Sequence, residues 1–154
     1  MKNQPKPGQI VLMASGAVML IFSFFAFYEV DLGQFGGDQS WNAWNSDAGF
    51  PLSWWPVLFG VAIAVLVALT VFASVKLPDQ VLSFSWKQII FMLAFTSFVI
   101  MLGFLLLDLG GADKGIGFWF MLLASIGLLV GSVLELQDKS STTGPSRQGP
   151  ATPF

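Results

Sequence analysis

Four stretches of this chain, residues 10–28, 56–75, 89–107 and 118–134, are long, apolar and free of charge. Each holds 17–20 residues, against the ~20 that a helix needs to cross ~30 Å of hydrocarbon. In lipid a backbone amide finds no water, so each run must close its hydrogen bonds internally, as a helix. The alternation of a membrane β-barrel is missing. Composition agrees: 55% of the residues are hydrophobic, 10% are charged, and the mean hydropathy is +0.72. A soluble domain carries roughly 25% charge because its surface meets water. The sequence therefore predicts an all-α membrane protein, a four-transmembrane-helix bundle over 10–137. It is flanked by a cytoplasmic N-terminus, 1–9, and a Ser/Thr/Gly/Pro-rich tail, 138–154, expected to be disordered. The first run exceeds the ~7–15 apolar residues of a signal peptide, and no A-x-A site follows it, so it reads as a retained span.

Orientation follows from the basic residues of the short loops, which stay on the cytoplasmic side. Lys2, Lys6, Lys76, Lys87, Lys139 and Arg147 fall on one side of a four-span topology, and Lys114 falls on the other. Both termini are thus expected in the cytoplasm, with the loop 30–55 outside a plasma membrane. Five of six tryptophans, among them Trp54, Trp55 and Trp119, gather at the outer boundary, as aromatic belts do. Asp-Leu-Gly occurs twice, at 31–33 and 108–110. Each stretch is expected to end an outward helix, with the aspartate entering water and the glycine free to take the left-handed turn. The partial match of Gln9-Ile-Val-Leu-Met13 to Gln88-Ile-Ile-Phe-Met92 leaves open a duplication into two tandem helical hairpins.

Small residues mark the helix-packing stripes: Gly60, Ala64 and Ala68 in the second run, Gly127 and Gly131 in the fourth. Small side chains let helices approach closely where no hydrophobic force operates between them. The expected occupants are the rings of the first and third runs, Phe22, Phe25, Phe91, Phe95 and Phe98; self-association into a homo-oligomer is the alternative use. Serines and threonines within the spans need no partner, because each hydroxyl can bond the carbonyl one turn back.

In the outer loop, Trp41 and Trp44 stand three apart. A short helix over 40–47, capped by Ser40, would set both rings on one face, as a membrane anchor or a partner site together with Trp54 and Trp55. Asp31, Asp38 and Asp47 are too scattered for a calcium loop. With no cysteine and no histidine, the usual zinc and haem ligands and the commonest general base are missing. No metal, cofactor or catalytic residue is therefore assigned. A net charge of −2 gives no basic surface for nucleic acid.

FFAFYEV at 24–30, NAW at 42–44 and FPLSWWPVLFGVAIAV at 50–65 together resemble small four-span membrane proteins of actinobacteria, mainly over residues 10–70. The resemblance implies a bacterial plasma membrane and no catalytic residues. The expected role is that of an accessory or scaffolding membrane protein, which binds another membrane protein through helix faces or the tryptophan loop. An oligomeric channel or small-solute transporter is the alternative, although no span carries mid-membrane charge.

Overall fold

The computed structural model describes residues 4–33, 36–45, 52–73, 75, 83–108 and 111–138. These form four α-helices and a three-stranded sheet. Helix α1, Pro7–Phe22, starts on a proline, whose missing N–H falls where a helix has no acceptor to offer. The Lys6 amide is satisfied by Gln9 Oε1 at 3.0 Å. Helix α1 stops at Ser23, which is fully buried and donates its hydroxyl to Leu20 O at 2.6 Å. The chain then extends into β1, Ala26–Asp31. Strand β2, Asp38–Asn42, pairs with one edge of β1. Helix α2, Trp55–Phe72, has Pro56 in its first turn. Helix α3, Trp86–Leu106, opens on a reciprocal cap: Ser85 Oγ accepts from the Gln88 amide, and Gln88 Oε1 accepts from the Ser85 amide at 2.9 Å. Strand β3, Ala112–Lys114, pairs with the other edge of β1 and leads into α4, Ile116–Gln137.

The all-α expectation is thus corrected: the sheet, ordered β2-β1-β3 and antiparallel throughout, caps one end of the helices. The first apolar run does not stay helical to residue 28. The segment at its end, FAFYEV over 25–30, holds three aromatics and a valine, which fit a pleated surface once partner strands are present. A bulge falls between Ala26 and Tyr28. The extra residue breaks the alternation, so the neighbours Phe27 and Tyr28 are both buried, at 1% exposure each. Phe27 meets Phe104 and Phe118 edge-on at 5.4 and 5.3 Å, which closes the sheet end of the helices with rings.

The two Asp-Leu-Gly stretches are not equivalent. The first follows a strand: Asp31 Oδ1 accepts from the Gly33 amide at 2.7 Å, and Gly33 takes φ +64°, so this is a side-chain-closed turn. The second begins at Asp108, just after α3; residues 109 and 110 lie outside the described residues. This difference removes one of the two matches that favoured tandem hairpins.

Helix α1 packs on α2 and α4, and α3 packs on the same two. Leu12, Met19, Ile63, Met101, Met121 and Leu128 meet between them with no exposed surface. Helices α2, α3 and α4 are each long and apolar enough to cross a membrane. Only 28% of the apolar windows of α2 and α3 is buried within the protein. Leu58, Val65, Leu69 and Phe72 of α2, and Met92, Phe95, Val99 and Leu106 of α3, stand outward on surfaces that suit lipid. Helix α1 is shorter, with 16 residues, or about 24 Å at 1.5 Å per residue.

Tyr28 is the single tyrosine of the chain. Burial pushes its phenol above the ordinary 10.0. A raised folded-state value means that the folded protein holds the proton longer than the unfolded chain does. The associated stability is complete below pH 10.0 and is lost as pH rises through the folded value. The phenolate absorbance should therefore appear above pH 10 in folded protein and return to about 10 after denaturation. Tyr28→Phe should remove that alkaline loss of stability.

Candidate functional site

The helix-packing glycines meet α1. A side-chain carbon on Gly16 would lie 2.5 Å from Gly60 O and 2.6 Å from Ala64 Cβ. One on Gly60 would lie 2.9 Å from Met19 S. Gly127 faces the Ser15 hydroxyl, and Gly131 stands against Leu12 and Gly8. Ala68 is half-buried farther along α2. What enters the stripes is therefore the small-residue face of α1 itself: Gly8, Leu12, Ser15, Gly16 and Met19. The expectation that phenylalanine rings fill them is corrected. Phe25 and Phe95 are 49% exposed, and Phe22 stacks on Phe120 at 4.1 Å. Rings need width, and helices that approach backbone to backbone leave none.

The tryptophans take separate roles around the sheet. Trp41 is half-buried on β2, opposite Tyr28. Trp44 donates its indole N–H to Ser23 Oγ at 2.8 Å and stacks on Phe24 at 5.9 Å. The Ser23 carbonyl also accepts from the Ala43 amide at 3.1 Å. Ser23, expected to need no partner, thus pins the end of β2 to the end of α1. Trp54 and Trp55 stack on each other at 4.7 Å at the start of α2. The helix expected over 40–47 is corrected: residues through Asn42 are strand, Ala43 and Trp44 turn, and 46–50 lie outside the described residues. Edge pairing with β1 satisfies more backbone groups than a two-turn helix capped by one serine. Trp41 and Trp44 therefore share no helical face.

The outer surface of the sheet is acidic. Glu29 stands opposite Asp113, and Asp31 opposite Asp38. Together with Gln39 and Ser40 they line an open cleft of about 400 Å³. Like charges directly across a strand pair cost stability, so this surface gains from any partner that brings positive charge. Among the described residues, no group of three or more carboxylates is placed to hold a metal ion. Lys114 lies with its ammonium 6.0 Å from the Phe118 ring centre, near the base of the same sheet.

At the opposite end the first residues of α1 and α3 meet the last of α2 and α4. Lys6 pairs with the Asp138 carboxylate, and Lys87 donates to the Asp138 carbonyl at 2.7 Å. Glu135 is 7% exposed, and its Oε1 has no hydrogen-bond partner among the described residues. Sequence reasoning missed it, because the fourth run was closed at residue 134 and Glu135 fell beyond it. Its spacing gave the signal: residues 124, 128, 131 and 135 recur at three to four, and all four are buried.

No family model, curated protein or solved structure matches this chain. A functional reading therefore rests on its own geometry.

Proposed function

We propose that the chain is a four-span accessory or scaffolding protein of a bacterial plasma membrane, with both termini cytoplasmic and the sheet outside. The observation that carries this reading is the acidic sheet standing on helices whose outer faces suit lipid. A rim of exposed aromatics, including Phe24, Trp44, Trp55 and Trp119, surrounds the helix ends beside it, which fits the headgroup level. The fourth span is α1. It runs antiparallel to α4 from Gly8 beside Leu134 to Phe22 beside Gly117, so it covers nearly the depth of a helix of membrane length. A modest shortfall in apolar length is met by local thinning of the bilayer.

Contact with another envelope protein is assigned to the sheet surface and the lipid-facing helix sides. Trp41, paired with Tyr28 on the sheet, and Trp44, bonded to Ser23, brace the sheet. What favours an accessory role over conduction is the axis, where Leu12, Met19, Met121 and Leu128 leave no exposed surface. Affinity purification in mild detergent, with mass spectrometry, tests the proposal. One membrane protein should be enriched with the wild type, and its recovery should fall at least tenfold with Asp38→Lys/Asp113→Lys. That variant relieves the like-charge pairs and should leave the fold intact. Equal recovery with the variant, or no enrichment over an unrelated four-span control, would reject the sheet as a partner surface.

A further inference from the structure

Glu135 does not stand against closed packing. It lines a half-open cavity of about 200 Å³ between the ends of all four helices, on the side away from the sheet. Gln9 of α1 and Thr70 of α2 contribute polar groups to the same wall. Leu66, Val67 and Ile90 make the remainder apolar, and Trp86 contributes an indole. A second opening of about 360 Å³ shares Gln9 and Thr70 and leads out past Gln4 and Lys6. The buried carboxylate therefore has a route to the surface.

A carboxylate in such a place loses its hydration, and it needs a donor or a positive charge in return. Among the described residues, the two nearby ammonium groups are directed elsewhere. Lys6 pairs with the Asp138 carboxylate, and Lys87, which also borders the cavity, donates to the Asp138 carbonyl. Gln9 Oε1 accepts from the Lys6 amide, and the Thr70 hydroxyl donates to Val67 O at 2.8 Å. No described donor reaches Glu135 Oε1.

We propose that this cavity is a binding site for a small primary ammonium compound with a short apolar body, anchored by the Glu135 carboxylate. The chemistry follows from the wall. An anion is repelled by Glu135. A bare divalent ion needs about six or more oxygen ligands, and among the described lining residues Glu135 is the one carboxylate and most of the wall is apolar. A primary ammonium supplies the N–H that Oε1 lacks, Trp86 adds an aromatic ring to the same wall, a group that attracts cations, and Leu66, Val67 and Ile90 suit an alkyl chain. The volume lies below the ~300–1,000 Å³ of drug-sized sites, so the ligand is small. This site is independent of the partner surface on the sheet.

The test uses the full chain in detergent micelles, with n-butylammonium chloride as probe and 1-butanol as its uncharged counterpart. Saturation-transfer NMR reads binding. Saturable binding of n-butylammonium is expected, with none for 1-butanol over the same range. Glu135→Gln, which keeps size and removes charge, should weaken binding at least tenfold. Leu66→Phe leaves the carboxylate in place, fills the cavity and should weaken binding to a similar degree. Wild-type affinity in Glu135→Gln, or equal binding of 1-butanol, would overturn the proposal. So would no saturable binding, which would mean that the cavity holds water only. Should Glu135→Gln fail to fold, Leu66→Phe decides: binding at wild-type strength there would overturn it.

Discussion

Gly16→Leu is expected to lower stability by about 3 kcal/mol, the upper end of what overpacking costs. The first added carbon would already stand 2.5 Å from Gly60 O and 2.6 Å from Ala64 Cβ. Backbone cannot rotate aside as a flexible side chain can, so α1 must separate from α2 along its middle. Leucine is the better helix former of the two residues, so any loss reflects packing and not propensity. Gly103→Leu is the matched control. Gly103 sits on the exposed side of α3, with nothing within 4 Å of an added carbon, and it should be neutral or slightly stabilising. Unfolding midpoints in detergent report both. Equal midpoints for the two variants would mean that α1 and α2 do not touch at Gly16 and Gly60.

Gly115→Ala should have the second largest effect, about 2 kcal/mol, in the range for adding volume to a filled site, and it should act on the sheet. Gly115 has φ −70°, which any residue adopts, so its glycine is required by space and not by conformation. An added methyl would run into the Ala26 carbonyl oxygen, with the carbonyl carbon at 2.7 Å. The bond from the Gly115 amide to Phe27 O, 3.0 Å, would have to lengthen or break. β1 would then loosen from α4 while the helices stay packed. Hydrogen exchange should show faster exchange at the β1–β3 amides and little change in α2 and α3. Faster exchange spread evenly over the helices would show that the sheet is not a separable cap. Gly33 and Gly37 present the opposite case. Both have positive φ with open space around them, so alanine there strains the backbone without any clash.

How far the sequence reaches can be judged from individual residues. The apolar runs identify all four helices, because long uncharged stretches have one outcome in lipid and helix is local. Their ends are less legible. Ser23 ends α1 only because Trp44 and Ala43, twenty residues on, bond to it. No window around Ser23 contains that information. The sheet is hidden for the same reason. FAFYEV reads as the tail of a greasy helix until the chain returns at 38–42 and 112–114 to supply partners. Its bulge then turns two adjacent aromatics inward, which no period predicts. The glycine stripes of α2 and α4 are visible as spacing, whereas their occupant is not. Phe-rich helices suggest rings, but close backbone approach selects Gly8, Ser15 and Gly16 instead. Glu135 was within reach, since its spacing from Gly131 and Leu128 marks it as inward-facing, and only the premature end given to the fourth run concealed it.

The central claim is that α1 crosses the membrane beside α4 and so separates the N-terminus from the sheet. The chain has no cysteine, so single substitutions give an unambiguous readout. Gln4 and Gln39 are exposed on either side of α1. With an impermeant maleimide on intact cells, Gln39→Cys should be labelled at once, and Gln4→Cys only after the membrane is permeabilised. Labelling of both from the same side would contradict a crossing α1, and labelling of Gln39→Cys only after permeabilisation would contradict the placement of the sheet outside.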